Sequence, residues 1–336
     1  MDFNKRLELV KRNTEEIIGE EELKKLLKES KKPVAYIGTA TTGKPHIGYF
    51  LWALKVSDLL RAGFLVKILI ADLHAALDNV SWNILEHRCN YYEKVIPELI
   101  KAIGVDSKDL EFVKGSEMQL NPEYMCDLLR MSSVVSVHDA NKAAAEVVKL
   151  GENPKLAGLI YPLMQAVDEQ YLKVDCQLGG TDQRKIMVLA RENLPKIGYN
   201  PRIEIMTPLA PGLIGGKMSA SDENTKIDLI DDEENVRKKI NKAECIEGNP
   251  NNGIMFFLKH VIMVIKQDKK ENFFIERNLK YGGNVSYSSY MEIERDFIEK
   301  KLHPLDLKIA IAKEINKLLK KIERKKLLKL AEKAYG

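Results

Sequence analysis

Apolar residues recur along the chain with two different periods, and these periods predict the order of its strands and helices. An apolar run that ends in glycine over 33–38 and a run rich in β-branched residues over 64–70 predict two buried strands. The residues between them, 48–62, have helical spacing. A strand, a helix and a second strand in so short a span form a βαβ unit, which requires a parallel sheet.

Further strands are predicted on the same grounds, with helices between them, at 110–113, 174–178 and 202–206. The fold class that this order predicts is α/β, a Rossmann-like doubly wound parallel sheet. The N-terminal residues 5–30 predict one or two charged amphipathic helices.

The pattern changes near Ile230, because only helical periodicity is found beyond it. The predicted helices of this part are 233–243, 253–266, 287–301, 306–323 and a last one that ends at Ala334. We therefore predict two domains, an α/β domain over 1–230 and an all-α domain over 231–336.

Composition narrows the class of protein. The 336 residues are 45% apolar and 30% charged with a net charge of +4, so we expect a full core and a soluble surface, with nucleic acid possible but not implied. Four widely separated cysteines without C-x-x-C spacing argue against a zinc site or a disulfide framework. A charged N-terminus and the lack of an apolar stretch of membrane-spanning length predict a cytosolic protein that does not enter a membrane.

Residues that could bind phosphate lie in the turn after the first predicted strand of the βαβ unit. Residues 38–44, GTATTGK, fit the first part of a P-loop, but Pro45 stands where that motif needs the N–H and the hydroxyl of Ser or Thr. In the alternative interpretation, His46-Ile47-Gly48 opens the following helix, whose N-terminus favours anions. Glycine there lets a ligand approach the backbone, and the histidine can donate a hydrogen bond to a phosphoryl oxygen.

A second candidate segment, GGKMSAS over 215–221, lies just before the predicted domain boundary. Its glycines provide a hinge. Lys217 and the hydroxyls of Ser219 and Ser221 are groups that can bind phosphate oxygens.

These segments resemble the two signatures of class I aminoacyl-tRNA synthetases. The first is similar to H-I-G-H, with Tyr49 in place of the second histidine, and the second is similar to K-M-S-K-S, with Ala220 in place of the second lysine. Longer segments extend the resemblance over nearly the whole chain: YIGTATTGKPHIGYF, ILIADLHAALDN, YPLMQAVDEQYLKVD, LGGTDQRK, PGLIGGKMSAS and HPLDLK. Together they resemble the tyrosyl-tRNA synthetases of the archaeal and eukaryotic cytosolic type.

The resemblance implies an ATP-dependent tyrosine–tRNA ligase whose partners are L-tyrosine, ATP and tRNA(Tyr), and whose helical domain binds the anticodon. Mg²⁺ would arrive with ATP, and no protein metal site is implied. The residues to which the resemblance assigns catalysis are His46, Lys217, Ser219 and Ser221. Those to which it assigns ATP binding are Gly38, His46, Gly48, Gly180, Asp182, Lys217 and Met218. How the lysine missing at position 220 is compensated stays open.

For the amino acid, the resemblance implies that Tyr36 and Asp168 contact the phenolic oxygen. Tyr161 and Gln165 would hold the ammonium group, and Gln183 would lie close to the amino acid. The spacing of residues 161, 165 and 168 at i, i+4 and i+7 places all three side chains on one face of a helix.

For RNA, the resemblance implies that Asp306 pairs with the first anticodon base and that Tyr281 stacks on it. Arg184 would read the first base pair of the acceptor stem. Asp306 is also a plausible helix N-cap. A homodimer is implied, with its interface in an insertion over about 110–150.

Two alternatives remain. A tryptophanyl-tRNA synthetase shares the fold and both signatures, but it binds an indole N–H, and the pair of Tyr36 and Asp168 is not expected there. An RNA-binding paralogue without catalysis has no use for His46, Lys217 or the other phosphate-site residues. His74 either lines the amino-acid pocket or packs behind it.

Overall fold

The computed structural model describes residues 1–105, 108–148, 151–216, 218 and 225–336. Its strands, in chain order, are β1 (Glu16–Ile18), β2 (Val34–Ala40), β3 (Leu65–Ala71), β4 (Leu110–Lys114), β5 (Cys176–Gly180), β6 (Ile203–Thr207), β7 (Phe273–Ile275) and β8 (Val285–Tyr287). The first six form one sheet in the order β1-β6-β5-β2-β3-β4. All neighbours in it are parallel except β1, which lies antiparallel to β6 at the edge.

The helices of the described residues are α1 (Phe3–Lys11), α2 (Glu20–Glu29), α3 (Tyr49–Arg61), α4 (Asp72–Leu77), α5 (Leu85–Ala102), α6 (Gly115–Gln119), α7 (Pro122–Val134), α8 (Val137–Ala144), α9 (Leu156–Tyr171), α10 (Arg184–Asn193), α11 (Glu233–Lys242), α12 (Gly253–Phe257), α13 (Met263–Lys269), α14 (Tyr290–Ile298), α15 (Pro304–Leu319) and α16 (Arg324–Tyr335). A π turn joins α12 to α13. In the part of the chain that the structure describes, no helix is long and apolar enough to cross a bilayer.

The predicted parallel sheet is confirmed, and each of the five predicted strands is present. Ala35, Tyr36 and Ile37 of β2 are all buried, although successive side chains of a strand point to opposite faces. The strand is therefore covered on both faces, which is why it reads as a continuous apolar run. The edge strand β1 is not among the predicted strands, because its three residues are partly exposed and too few to show a period.

The prediction of purely helical structure beyond Ile230 is wrong at one place. β7 and β8 form an antiparallel hairpin in which Phe273 pairs with Tyr287. Phe273 and Ile275 are buried and Phe274 is exposed, which is the alternation of a strand. Each strand has only three residues, too few to be distinguished from helical spacing in the sequence.

The start of α15 also differs from the prediction. His303 is the N-cap, because its Nδ1 accepts a hydrogen bond from the Leu305 N–H at 3.1 Å, and Pro304 follows as the first helical residue. The predicted N-cap role of Asp306 is therefore wrong. Its carboxylate lies in the first turn, where it complements the positive end of the helix.

A buried ion pair joins the first helix, the sheet domain and the helical region. Arg12, which follows α1, donates from Nε to Asp58 of α3 at 2.9 Å and from Nη1 to Asp268 of α13 at 2.7 Å. Burial raises the pKa of Asp58, whose side chain is inaccessible, while the hydrogen bond and charge of Arg12 oppose that rise. The Asp58 carboxylate therefore depends on Arg12 for compensation of its charge.

A buried lysine of α3 caps the C-terminal end of α1. The ammonium group of Lys55, on α3, donates to the carbonyls of Leu9 at 3.3 Å, of Val10, and of Arg12 at 2.7 Å. Lys55 has no exposed surface. The last carbonyls of a helix lack partners within it, so this ammonium group satisfies the end of α1.

We expect Arg12→Met to lower the free energy of unfolding by about 3 kcal/mol, since it leaves a buried carboxylate without its partner. Urea denaturation followed by circular dichroism measures the change. Arg61→Met is the matched control, because the ion pair that Arg61 forms with Asp268, at 2.7 Å, lies on the surface, and its loss should cost at most about 1 kcal/mol. Equal effects of the two substitutions would contradict this account, and Arg12→Met with Asp58→Asn should recover part of the loss.

Candidate active site

A cavity of about 360 Å³ opens at the carboxyl ends of β2 and β5. These two strands are neighbours in the sheet. After β2, the next strands of the chain, β3 and β4, lie on one side of β2, whereas β5 and β6 lie on its other side. Ligands of open α/β sheets bind at such a reversal of strand order. Thr39 and Ala40 of β2 and Gly179 and Gly180 of β5 line the cavity, whose volume suits a small ligand.

One end of the cavity contains a buried carboxylate, that of Asp168 on α9. Its Oδ1 accepts two hydrogen bonds of 2.8 Å, from Gln119 Nε2 and from the Tyr124 hydroxyl. Its Oδ2 has no hydrogen-bond partner among the described residues. Burial raises the pKa of Asp168 to about 7, although the two donors oppose this rise. A buried acceptor without a partner is costly, so Oδ2 is suited to accept from a ligand.

His74 faces the same carboxylate as a neutral hydrogen-bond donor. The Gln119 amide nitrogen lies 3.3 Å from His74 Nδ1, which therefore accepts and leaves the ring hydrogen on Nε2. Burial lowers the pKa of His74 to about 4. His74 Nε2 lies 3.7 Å from Asp168 Oδ2. A donor and an acceptor thus stand side by side at this end of the cavity, close to the buried Tyr36.

The other end of the cavity contains His46, also neutral. Its Nδ1 accepts a hydrogen bond from the Gly48 N–H at 3.1 Å, so the ring hydrogen is on Nε2. Burial, and then the charge of Lys226, lower the pKa of His46 to about 3. The Lys226 ammonium group itself pairs with Asp228 at 2.7 Å. His46 can therefore donate to a phosphoryl oxygen without carrying a charge.

Gly48 stands where α3 begins, and no larger residue fits there. A Cβ at this position would lie 2.8 Å from His46 Cε1 and 3.2 Å from Met218 Sδ. The N-terminus of α3, a helix of 13 residues, lies at the cavity wall beside this glycine. Gly38 lies in the middle of β2, and a Cβ there would meet no protein atom closer than 3.9 Å.

The structure brings most of the predicted site residues together at this cavity. Those that line it are Tyr36, Gly38, His46, Gly48, Tyr161, Gln165, Asp168, Gly180, Asp182, Gln183 and Met218. The predicted pyrophosphate residues Lys217, Ser219 and Ser221 lie outside the described residues. Within the described ranges, no three acidic, cysteine or histidine side chains are grouped as metal ligands.

The family model of the tRNA synthetases class I (W and Y) matches residues 28–320. The chain belongs to this family.

Individual class I synthetases are similar over the whole chain. The cytoplasmic tyrosine–tRNA ligase of Danio rerio is 49% identical over 99% of this chain, and that of Saccharomyces cerevisiae is 46% identical over 100% of it. The chain spans 63% of the length of the first protein and 89% of the second. The crystal structure of tyrosyl-tRNA synthetase from Archaeoglobus fulgidus, complexed with L-tyrosine, is 39% identical, with a TM-score of 0.89 over 97% of this chain and 100% of that one.

The residues predicted to contact RNA lie away from the cavity of this class I synthetase. Arg184, at the start of α10, is half-exposed and forms a two-pronged ion pair with Glu16 at 2.7 and 2.8 Å. Tyr281 is largely exposed in the turn between β7 and β8. Asp306 lines a small depression beside α15, together with Phe274.

Gln119 and Tyr124, which bond to Asp168, are not among the residues singled out from the sequence. They come from α6 and α7, within the segment assigned to a subunit interface. Both are fully buried, and a buried polar residue in a short helix carries no periodic signal. His74, whose role the sequence leaves open, lines the cavity.

We expect His46 to remain neutral, with its hydrogen on Nε2, from about pH 5 to pH 8, because its lowered pKa lies below that range. Imidazole ¹⁵N chemical shifts of histidine-labelled protein measure this, and a His46→Asn variant identifies the signal. A His46 ring signal that changes with pH within this range would contradict the prediction.

Proposed function

We propose that the protein is a tyrosine–tRNA ligase, which activates L-tyrosine with ATP and transfers it to tRNA(Tyr). The observation that carries the proposal is the buried end of the cavity, where an unpartnered Asp168 Oδ2 faces His74 Nε2. A phenolic hydroxyl both donates and accepts, and it satisfies the two groups at once. Relatives named cytoplasmic tyrosine–tRNA ligase support this activity and a cytoplasmic location.

Rejection of phenylalanine follows from the same groups. Without a hydroxyl on the ligand, Asp168 Oδ2 would stay buried and, among the described residues, without a hydrogen-bond partner. Tyrosyl-tRNA synthetases are the standard example of rejection by a lost hydrogen bond. The remaining tyrosine contacts that we propose are Tyr161 and Gln165 for the ammonium group, with Gln183 close to them.

Activation is an attack of the tyrosine carboxylate on the α-phosphorus of ATP. A new P–O bond forms and the bond to pyrophosphate breaks. No general base is needed because the carboxylate is already ionised, so catalysis consists of positioning and of stabilising negative charge. Among the described residues, His46 Nε2–H and the N-terminus of α3 supply hydrogen-bond donors. We assign Lys217, Ser219 and Ser221 to binding of the pyrophosphate.

The nucleotide would lie along the glycines of β2 and β5. Gly38 leaves space above the strand, and Gly180 and Asp182 stand at the carboxyl end of β5, where we propose that they contact the ribose. ATP would enter as its Mg²⁺ complex. In the second step, a terminal ribose hydroxyl of tRNA attacks the adenylate carbonyl and releases AMP.

The decisive experiment is amino-acid-dependent exchange of pyrophosphate into ATP. We expect exchange with tyrosine and none above background with phenylalanine or tryptophan, because an indole N–H donates but cannot accept from His74. Exchange with tryptophan instead would establish the tryptophanyl alternative. Absence of exchange with every amino acid, in protein that binds RNA, would establish the non-catalytic alternative.

Tyrosine binding should depend on pH through Asp168. The phenol donates to the ionised carboxylate, so binding releases a proton when Asp168 is protonated. Since burial raises the pKa of Asp168 to about 7, we expect tyrosine affinity to fall as the pH is lowered from about 8 to about 6, by up to about tenfold per pH unit below that pKa. Calorimetry measures affinity and proton release. Asp168→Asn should bind weakly with no such dependence, and a flat wild-type profile would contradict the assignment.

For tRNA, the supporting features are an exposed Tyr281 and a basic surface at the end of the helical region. The exposed ring of Tyr281 can stack on an unpaired base, and Asp306 lines a depression at the start of α15. The lysines of α16, such as Lys325 and Lys329, are available for phosphate contacts.

We expect Arg184→Ala to lower aminoacylation of tRNA(Tyr) by about tenfold or more, because one contact to a base is lost. Pyrophosphate exchange should be unchanged. The control is Lys24→Ala, which removes a surface cation paired with Glu20 and Glu21 on α2. Loss of both activities in Arg184→Ala would identify a structural role for its ion pair with Glu16.

A homodimer is supported by apolar side chains exposed in the segment over 110–150. Leu120, Leu129 and Val137 are each more than 60% exposed, and they lie on or beside α7 and α8. Where such side chains form a contiguous apolar patch, the patch marks a site of protein–protein contact. Sedimentation equilibrium distinguishes a dimer from a monomer.

A further inference from the structure

The turn between β2 and His46 is held by side chains from outside it. Arg88, on α5, donates from Nη1 to the Thr41 carbonyl at 3.2 Å and to the Thr42 carbonyl. Within the turn itself, the Thr42 N–H bonds to the Ala40 carbonyl at 2.9 Å. The conformation of these carbonyls therefore depends on a guanidinium group that belongs to another element.

The next carbonyl of the turn, that of Gly43, accepts two phenolic hydrogen bonds. Tyr92 of α5 donates to it at 2.6 Å, and Tyr335 of α16 donates at 2.9 Å. Burial raises the pKa of both phenols, so both remain protonated donors. Because α16 is the last helix of the helical region, that region reaches the turn directly.

Arg88 also connects the two helices that hold the turn. Its Nε donates to the Ala334 carbonyl at 3.3 Å, and its guanidinium carbon lies 4.6 Å from the centre of the Tyr335 ring. A cation over an aromatic face is attractive and fixes both groups. We call Arg88, Tyr92 and Tyr335 the turn clamp.

Contacts between hydroxyl groups connect the turn clamp to the wall of the cavity. The Tyr92 hydroxyl lies 3.3 Å from that of Tyr49, which lies 3.4 Å from Thr39 Oγ1. Tyr49 and Thr39 both line the cavity, as do Thr42 and His46 on the turn itself. Any shift of the clamp therefore moves groups that face a bound nucleotide.

We propose that Arg88 and Tyr335 are positioning residues of the nucleotide site, which hold the turn over 41–43 and, through it, His46. The proposal rests on the proposed function and makes the helical region a structural part of the ATP site. Neither side chain is among the described residues that line the cavity, so both act through the turn. Misplacement of a reacting or stabilising group by about 1 Å is enough to slow a reaction substantially.

The test compares Arg88→Ala, Arg88→Lys and Tyr335→Phe in pyrophosphate exchange, with ATP and tyrosine varied separately. We expect Arg88→Ala to raise KM for ATP or lower kcat by about tenfold or more, while tyrosine affinity changes by less than about twofold. Tyr335→Phe should have a smaller effect of the same kind, since Tyr92 still donates to Gly43. Arg88→Lys should recover part of the loss, because it keeps one charged donor.

Tyr91→Phe is the matched control. Tyr91 precedes Tyr92 on α5 and its ring lies 5.7 Å from that of Tyr335, yet its hydroxyl has no hydrogen-bond partner in the described part of the chain. Its kinetics should equal those of the wild type. Unchanged ATP kinetics in Arg88→Ala would overturn the proposal. Equal losses for ATP and tyrosine with a lowered melting temperature would also overturn it, since they would indicate general destabilisation.

The test separates this proposal from the proposed function. If the wild type shows no exchange with any amino acid, the function fails, and calorimetric binding of ATP then tests the turn clamp alone. Weaker ATP binding by Arg88→Ala than by Tyr91→Phe would support the clamp. Equal binding by the two variants would overturn it.

Discussion

The buried carboxylate of Asp168 is the group on which our proposed amino-acid site depends. Two donors, Gln119 and Tyr124, satisfy one of its oxygens and fix its plane, which leaves the other oxygen facing the cavity. An acceptor that the protein itself does not satisfy raises the free energy of the empty site. A ligand recovers that energy if it brings a hydrogen-bond donor to this oxygen, and a hydroxyl can in addition accept from His74, so we propose that selectivity originates in the unliganded protein.

The part of the cavity around His46, where we propose that phosphates bind, follows a different electrostatic rule. His46 is uncharged because it is buried near the Lys226 cation, and its orientation is set by a backbone N–H two residues later. It therefore contributes a directed dipole rather than a charge. Positive charge to balance bound phosphates has to come from other groups. A fixed dipole needs no reorganisation during reaction, but it is useful only if the turn that carries it does not move.

The strands are predicted by local patterns, because buried strands such as 33–38 are continuous apolar runs. The expected cavity lining rests on the family resemblance, and spacing adds only that Tyr161, Gln165 and Asp168 share one helix face. Gln119 and Tyr124 could not be predicted in this way, since they reach the carboxylate through tertiary packing of a separate segment. The hairpin of β7 and β8 is missed for another reason, as three residues are fewer than either period needs.

Lys55 has a practical consequence for anyone who shortens this protein. Its ammonium group is inside the molecule, and its acceptors belong to the last residues of α1 and the one that follows. Truncation of the first dozen residues would remove those oxygens and leave the Lys55 ammonium group without these three hydrogen-bond acceptors. The helix α1 therefore belongs to the minimal folding unit, although it is distant in sequence from most residues that line the cavity.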